Sequence, residues 1–407
     1  MRAYERLLNY AKVFTTSDED SDTTPSSARQ FDLARMLVEE MKQIGIQDAR
    51  VDDKCYVYGS IPATEGMENV PAIGFIAHMD TAPDFCGAGV NPQIHENYDG
   101  SDVPLGESGR VLSPEMFPRL KERIGQTLIT TDGTTLLGAD DKAGIAEIMT
   151  AAEKIIAEKI PHGKMCIAFT PDEEIGSGAQ DLDLERFGAA FAYTLDGDYE
   201  AQVVYETFNA AAAKFEINGF NIHPGEAKNK MINAALLATQ IVGALPSFDT
   251  PRDTVLYEGF YHLTGIEGDV EHATVSFIVR DHSPQMFEAR KTTLHHIEKL
   301  MNERYGEGTV KLTVREQYRN MAEKLVDHMH IVENAREVVR SLGKEPDGSP
   351  VRGGTDGARL IFRGLPCPNL GTGGDAFHGP YEHITAEAMD FCVEVVLGIL
   401  KRYASLG

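Results

Sequence analysis

Apolar runs alternate with amphipathic segments through the first half of the chain. Uncharged, apolar runs of this kind are typical of buried strands, and they span residues 72–77, 136–137, 165–169 and 189–195. Apolar residues at helical spacing predict a helix over 32–44, and a second helix is predicted over 142–159, before Pro161. Strands that alternate with helices indicate an α/β fold, with a mixed, mostly parallel sheet flanked by helices.

Near Phe208 the pattern changes. Strands are predicted at 211–217, 255–261, 273–279 and 309–318, and helices at 231–245 and 284–305. The order βαββαβ is the ferredoxin-like split motif, which predicts an inserted α+β domain. The chain therefore divides into a main domain of residues 1–207 and 321–407 and an inserted domain of residues 208–320.

Charge and cysteine content narrow the class of protein. The 407 residues carry a formal net charge of −25, with 63 acidic against 38 basic side chains. This balance argues against nucleic-acid binding, which depends on lysine and arginine. The five cysteines are scattered and include no C-x-x-C pair, as expected in a reducing compartment. We expect a cytoplasmic protein that does not enter a membrane, because no signal peptide and no run of 18 apolar residues is found.

Each of the four apolar runs ends at a segment that carries acidic or histidine side chains. In open α/β sheets, ligands and catalytic groups gather at the carboxyl ends of the strands. A histidine and several carboxylates at that edge indicate a divalent metal site, and His378 would supply enough ligands for two ions. The segments are His78-Met79-Asp80, Gly138-Ala139-Asp140-Asp141, Asp172-Glu173-Glu174 and Leu195-Asp196-Gly197.

The first two segments each suggest a division of roles. Asp80 follows His78 by two residues, so its carboxylate could accept the second ring N–H and fix the tautomer. A surface histidine beside an acid is the alternative. In the second segment, Asp141 suits an N-cap of the following helix. Asp140 would then be free to bridge two cations.

The remaining segments have alternatives of their own. One of the two glutamates after Asp172 could coordinate a metal while the other acts as a general base. The alternative is an acidic first turn of a helix, although Gly176-Ser177-Gly178 disfavours a regular helix there. Asp196 could simply be part of a turn. Of the two late histidines, we prefer His378 to His383, because glycines precede it.

Taken together, these motifs resemble the peptidase T family, whose clan also holds zinc aminoacylases, desuccinylases and glutamate carboxypeptidases. The likeness runs nearly end to end. Three marks place the chain in the clan: residues Gly74-Phe75-Ile76-Ala77-His78-Met79-Asp80-Thr81, Leu137-Gly138-Ala139-Asp140-Asp141-Lys142-Ala143-Gly144 and Phe169-Thr170-Pro171-Asp172-Glu173-Glu174-Ile175-Gly176. Two more indicate peptidase T within it: Ala227-Lys228-Asn229-Lys230-Met231 and Arg352-Gly353-Gly354-Thr355-Asp356-Gly357.

The resemblance implies a tripeptide aminopeptidase with two zinc ions per subunit, for which cobalt or manganese could substitute. It implies one ion held by His78, Asp140 and Asp196, and a second held by Asp140, Glu174 and His378. Glu173 would be the general base and Asp80 the acid that orients His78. The inserted domain would act as a lid that can also mediate a homodimer, although some members of the clan are monomers.

Four further residues are implied as substrate-binding, all in the inserted domain or beside it. They are His223, Asn233, Arg280 and Arg352. For Arg280 a salt bridge with Asp281 is an equal alternative. Within the same clan, the activity could instead be that of a carboxypeptidase or an N-acyl amino acid amidohydrolase. An inactive metal or peptide binder is the alternative outside enzymes.

Overall fold

The structure is a computed structural model that describes residues 1–406. It contains two compact units. The first comprises Met1–Tyr205, Lys324–Gly348 and Thr355–Gly407, and the second comprises Glu206–Glu323 and Ser349–Gly354. The first domain boundary was predicted after residue 207 and lies after Tyr205 in the structure. The second was predicted after residue 320 and lies after Glu323.

The segment Ser349–Gly354 belongs to the second unit, whereas the sequence pattern predicts it in the main domain. Backbone hydrogen bonds account for this difference. Val351 N donates to Glu206 O at 3.0 Å, and Phe208 N donates to Gly353 O at 3.2 Å. This pairing joins segments that are far apart in sequence, so no local sequence pattern predicts it.

The described residues form ten α-helices and sixteen strands, in addition to short 3-10 turns. The helices are α1 (Ala3–Tyr10), α2 (Gln30–Ile44), α3 (Ala139–Glu158), α4 (Leu184–Phe187), α5 (Ala234–Gly243), α6 (Pro284–Tyr305), α7 (Ala322–Leu325), α8 (Met329–Ser341), α9 (Asp356–Leu360) and α10 (Ala386–Leu406). The strands are β1 (Arg50–Val51), β2 (Val57–Ile61), β3 (Ile73–His78), β4 (Gln93–His95), β5 (Val103–Pro104), β6 (Val111–Leu112), β7 (Leu128–Thr130), β8 (Met165–Thr170), β9 (Phe191–Gly197), β10 (Val203–Val204), β11 (Asn209–Asn218), β12 (Phe260–Gly268), β13 (His272–Asp281), β14 (Val310–Tyr318), β15 (Asn369–Gly371) and β16 (His383–Thr385).

The first unit is built on a seven-stranded sheet in the order β1-β2-β8-β3-β9-β15-β10. The four central strands, β8, β3, β9 and β15, are parallel, and the outer strands pair antiparallel. The fold class predicted from the sequence, an α/β fold with a mixed, mostly parallel sheet, is confirmed.

Both faces of this sheet are buried. Phe75 of β3 packs into the core shared with α1, α2, α3 and α10, whereas its neighbour Ile76 packs into a smaller cluster on the opposite face. Strands covered on both faces need apolar side chains at every position. This requirement explains the unbroken apolar runs in β3, β8 and β9.

The second unit has a four-stranded antiparallel sheet in the order β12-β13-β11-β14, and its elements follow the order βαββαβ. Alternate residues of β13 are buried, including Val275, Phe277 and Val279, and they share a core with residues of α5 and α6. Period-two burial is expected for a sheet with one covered face.

Two predicted strands were wrong. Residues 136–137 lie in a loop, where Leu136 N donates to Cys86 O at 3.0 Å. Most of 255–261 is a turn in which Val255 and Leu256 are exposed, and β12 begins only at Phe260. Short apolar runs are therefore weak evidence for a strand. None of the described helices is long and apolar enough to span a membrane.

Candidate metal centre

Three neighbouring parallel strands of the first unit bring the candidate ligands to one edge of the sheet. β3 ends at His78 and lies between β8 and β9. The acidic segment 172–174 directly follows β8, and Asp196 is the penultimate residue of β9. Two more candidates come from other elements: Asp140 lies at the start of α3, and His378 lies in the loop between β15 and β16.

His78 is nearly fully buried and is fixed through its two ring nitrogens. Its Nε2 lies 3.0 Å from Asp140 Oδ1 and 3.7 Å from Asp196 Oδ1. Its Nδ1 lies 3.0 Å from the carbonyl oxygen of Asp80 and 3.3 Å from Asp80 Oδ1. A proton on Nδ1 would satisfy Asp80 and leave Nε2 to bind a cation, as second-sphere partners of histidine ligands do.

Asp140 also reaches the second histidine. Its Oδ2 lies 3.1 Å from His378 Nε2, and that nitrogen lies 3.1 Å from Glu174 Oε2. Asp140 thus has one oxygen towards each imidazole. The structure therefore brings together all five side chains that the sequence analysis named as ligands.

The donor set fits a divalent cation. Ligand atoms of His78, Asp140 and Glu174 lie within 4.8 Å of one another, as do those of His78, Asp141 and Asp196. Glu174 Oε1 is buried and has no hydrogen-bond partner among the described residues. A buried carboxylate oxygen without a donor is costly, and a cation would satisfy it.

Asp141 belongs to this cluster, but its oxygens are already engaged. Oδ2 accepts from His78 N at 3.1 Å, and Oδ1 accepts from Gly144 N at 3.2 Å. The second bond is of the capping kind expected for Asp141 at the start of a helix.

Asp80 has a wider role than the sequence indicated. Its side chain is completely buried, and besides contacting His78 it accepts from the two glutamates that follow β8. Glu173 N donates to Asp80 Oδ1 at 3.0 Å, and Glu174 N donates to Oδ2 at 3.2 Å. One carboxylate therefore orients an imidazole and the backbone of the acidic loop together.

The centre holds more negative charge than its two histidines balance. Burial and the nearby charge of Asp196 raise the pKa of Glu173 well above its usual value. Burial, together with the charge of Asp140, raises the pKa of Glu174 to about 8. Asp140 differs: burial opposes its ionisation, but hydrogen bonds from both imidazoles hold its pKa below the usual range.

The histidines respond in the opposite sense. Burial lowers the pKa of His378, but its hydrogen bonds with Asp140 and Glu174 outweigh burial and raise that pKa to about 11. For His78 burial also opposes protonation, and Asp140 and Asp196 raise the pKa well above its usual value. A ring nitrogen must lose its proton before it can bind a metal, so metal binding at these histidines would release protons.

His383, the rival of His378, lies elsewhere. It begins β16, and its Nδ1 contacts the carbonyl oxygen of Tyr381 at 2.8 Å. No described contact joins its ring to the candidate ligands.

Sequence reasoning missed a contact that holds the acidic loop. Asp172 is buried, and its carboxylate accepts from Ser26 N at 2.7 Å, Ser26 Oγ at 2.5 Å and Gln30 Nε2 at 2.6 Å. Only a pairing between residues about 140 positions apart reveals this role. It is therefore invisible to motif and periodicity arguments.

The four residues named for substrate binding all belong to the second unit. His223 is exposed and accepts from Gly225 N through Nδ1 at 3.1 Å, and Asn233 caps α5 by accepting from Leu236 N. Arg352 donates to the carbonyl oxygens of Leu256 and Glu258 and to Thr254 Oγ1.

The alternative for Arg280, a salt bridge with Asp281, is not formed. Asp281 instead pairs with Arg290 at 2.8 Å. Arg280 donates to the backbone oxygens of Ala211 and Val279, and its guanidinium lies 5.4 Å from the centre of the Tyr318 ring. Burial lowers the pKa of Arg280.

Known proteins match this chain along its whole length. Residues 132–402 match the family model for peptidase family M20/M25/M40. Peptidase T of Clostridium perfringens is 53% identical over 404 residues, which cover 99% of each chain. Peptidase T of Desulfitobacterium hafniense is also 53% identical, over 402 residues and 98% of each chain.

Solved structures share the fold. Aminopeptidase PepT from Bacillus cereus superposes with a TM-score of 0.77 at 24% identity, covering 99% of this chain and 98% of that one. A dinuclear metal-binding peptidase of the M20 family from Bacillus subtilis gives a TM-score of 0.65 at 14% identity, covering 99% of both. The resemblance drawn from the sequence is confirmed, and the chain is an enzyme that belongs to the peptidase T family within the M20/M25/M40 peptidases.

Proposed function

We propose that the chain is a tripeptide aminopeptidase that releases the N-terminal residue with the help of two divalent cations. The position of Asp140 between His78 and His378 is the observation that carries this proposal. A carboxylate with one oxygen towards each of two imidazoles is suited to bridge two cations. The 53% identity to peptidase T and the solved PepT aminopeptidase support the choice of reaction.

The proposed ligand sets follow the contacts. His78, Asp140 and Asp196 would hold one ion, and Asp140, Glu174 and His378 would hold the other. Mixed imidazole and carboxylate ligands suit zinc, and cobalt or manganese would also bind them. We propose zinc as the resident metal.

When bound, the two cations would supply Lewis acidity that activates a water molecule and polarises the scissile carbonyl. The chain supplies the proton transfers. Glu173 would accept the proton of the attacking water at its carboxylate and pass it to the leaving amine. Asp80 supports this step, because it holds the backbone of Glu173 in place at 3.0 Å.

The substrate-binding assignments remain proposals. Arg280 has no carboxylate partner among the described residues, which leaves its guanidinium able to pair with a carboxylate of the peptide. The Arg352 guanidinium already donates hydrogen bonds to three acceptors in the loop of residues 254–258. His223 is proposed to donate to the developing oxyanion, and Asn233 to contact the substrate nearby.

A homodimer through residues 208–320 also stays a prediction. Light scattering of the purified chain would measure its mass in solution directly. A mass equal to one chain would count against the dimer.

Product analysis tests the proposed reaction. A tripeptide of three different residues with free termini is incubated with the enzyme, with chelator and again after zinc is restored, and products are identified by mass spectrometry. Metal-dependent release of the first residue and the C-terminal dipeptide is expected. Release of the last residue would instead establish a carboxypeptidase. No cleavage by the metal-loaded enzyme would overturn the peptidase assignment in favour of an acyl-amino-acid hydrolase or a binder.

A further inference from the structure

The chain enters α3 through a buried loop, and three backbone N–H groups of this loop donate to one side chain. Leu137 N and Gly138 N donate to Glu382 Oε2 at 2.7 and 2.8 Å, and Asp140 N donates to Glu382 Oε1 at 3.0 Å. Buried N–H groups need acceptors. The Glu382 carboxylate supplies the acceptors for these three N–H groups.

Glu382 is itself almost completely buried, with 1% of its surface exposed. Both of its oxygens accept hydrogen bonds from the loop, and it belongs to neither of the ligand clusters found among the described residues. We call the Glu382 carboxylate, with its three hydrogen bonds from the loop, a clamp.

The clamp connects two of the proposed ligands. Glu382 lies four residues after His378, in the segment that leads into β16. Its carboxylate holds the backbone of Asp140, whose Oδ2 in turn lies 3.1 Å from His378 Nε2. Asp140 is thus fixed at its backbone by the same segment whose histidine faces its side chain.

We propose that Glu382 is a positioning residue that sets Asp140 between the two histidines and so gives the centre its affinity for two cations. The inference rests on the proposed function, because it takes Asp140 to be the bridging ligand. Glu382 needs no contact with metal or substrate to act in this way.

Glu382→Gln is the direct test, because it keeps the shape of the side chain but replaces one acceptor oxygen with an NH2 group. That NH2 group would face at least one backbone N–H. We expect the affinity for Zn²⁺ to fall about 10- to 100-fold, as for other partners that orient metal ligands. The affinity is measured by titrating Zn²⁺ into metal-free protein against a coloured chelator. Excess Zn²⁺ should restore peptide hydrolysis, as a positioning role requires.

Glu387→Gln is the matched control. The Glu387 carboxylate also accepts a backbone N–H, from Thr127 at 2.8 Å, but that residue lies outside the loop that carries Asp140. This variant should bind Zn²⁺ like the wild type. Unchanged Zn²⁺ affinity in Glu382→Gln, with normal far-UV circular dichroism, would overturn the proposal.

A measurement on the wild type covers the case in which Glu382→Gln does not fold. The amides of Leu137, Gly138 and Asp140 should be protected from hydrogen exchange in the metal-free protein. Exchange at the rate of exposed amides would refute the clamp. Tripeptide cleavage by the wild type is a separate readout, so loss of the aminopeptidase proposal alone would leave a Glu382-dependent metal affinity intact.

Discussion

At the scale of single residues, three consecutive acids after β8 have three different surroundings. Asp172 accepts three hydrogen bonds from Ser26 and Gln30, and Glu174 pairs with His378. No hydrogen bond or ion pair of the Glu173 carboxylate is seen within the described part of the chain, although its backbone is held by Asp80. A carboxylate that is fixed in position but free at its oxygens is suited to accept a proton.

Glu173→Gln should therefore keep the metals and lose the reaction. Glutamine has nearly the same shape but cannot accept the proton of water, so we expect kcat to fall about 10²- to 10⁴-fold. Metal content by mass spectrometry and kcat on a tripeptide are measured together. The exposed Glu185, on α4, provides a control variant, Glu185→Gln. Wild-type kcat in Glu173→Gln would remove Glu173 from the mechanism, and loss of one metal would make it a ligand.

Glu147 is a second carboxyl in an unusual place. It lies on α3 with no exposed surface, and both of its oxygens lack hydrogen-bond partners among the described residues. Burial, followed by the charges of Asp141, Glu200 and Asp390, raises its pKa well above the usual value. The folded protein therefore retains a proton that the unfolded chain releases above about pH 4.3.

The sign of the pH effect follows from this difference. Between the unfolded and the folded pKa, the folded state binds one more proton than the unfolded chain, so Glu147 lowers stability as pH rises, by about 1.4 kcal/mol per pH unit. Glu147→Gln removes this titration. We expect the variant to gain stability over the wild type by about 1.4 kcal/mol for each pH unit between about pH 4.3 and the folded-state pKa of Glu147, and to match the wild type below pH 4.

Urea unfolding at the two pH values measures the effect. Glu158→Gln, at the exposed end of the same helix, is the control and should show no such pH dependence. A stability difference that stays constant between pH 4 and pH 7 would show that Glu147 is not the titrating group.

At the scale of elements, residues 16–30 form a strap along two of the loops that carry the centre. Ser17 N donates to Thr81 O at 3.2 Å, beyond the end of β3, and Ser26 N donates to the Asp172 carboxylate beyond the end of β8. Gln30, at the start of α2, donates to the same carboxylate. The strap therefore supports the loop of Glu173 from outside the sheet.

Gln30→Ala should weaken this support without touching any proposed ligand. We expect kcat to fall about 10-fold with little change in KM, because a group that is slightly misplaced loses rate rather than substrate affinity. Steady-state kinetics at saturating zinc measure both constants. Ser21→Ala, which removes only the contacts of the Ser21 hydroxyl with Thr23 Oγ1 and Thr23 N in the exposed part of the strap, should match the wild type. Equal kcat in both variants would show that the strap does not act on the centre.

Elements with a strong pattern were predicted well from the sequence. The helix predicted over 284–305 coincides with α6, and the strand predicted over 165–169 differs from β8 by one residue. Long periodic segments predict their secondary structure well, because burial of one helix face or of a whole strand determines where the apolar residues occur. Val255 and Leu256 are apolar but exposed, so apolar character did not indicate burial there, and a strand was predicted where the chain turns.

For the centre, residue type and order along the chain were sufficient to propose the ligands and one supporting residue, Asp80, but not the other supports. Strand ends locate His78 and Asp196, the preceding glycines favoured His378 over His383, and the family resemblance assigned His378 to the second ion. Asp172 and Glu382 could not be found in this way, because their hydrogen-bond partners are distant in sequence. Gln30 lies 142 residues from Asp172, and Leu137 lies 245 residues from Glu382. Hydrogen bonds over such separations are set by the tertiary fold alone.

At the scale of the whole molecule, the net charge of −25 creates a field that favours cationic over anionic peptides. At 10 mM salt the screening length is about 30 Å, and at 150 mM it is about 8 Å. We expect kcat/KM for a lysine-containing tripeptide to fall as salt rises over this range, and kcat/KM for its aspartate-containing counterpart to rise.

A tripeptide without charged side chains is the control and should change little. The comparison uses the same peptide sequence with only the middle residue varied. Parallel changes for the lysine and aspartate peptides would point to an effect of salt on the enzyme itself and contradict the field argument.

The spread of the candidate ligands along the chain determines when each half of the centre can be completed during synthesis. His78, Asp140 and Asp196 belong to the first half of the polypeptide, but His378 and its neighbour Glu382 follow only after the entire second unit has been made. At about 5–20 residues per second, the 182 residues added after Asp196 up to His378 correspond to about 9–36 s on the ribosome. A nascent chain could therefore offer a cation the three proposed ligands of one ion well before the residues proposed to complete the second ion site are made.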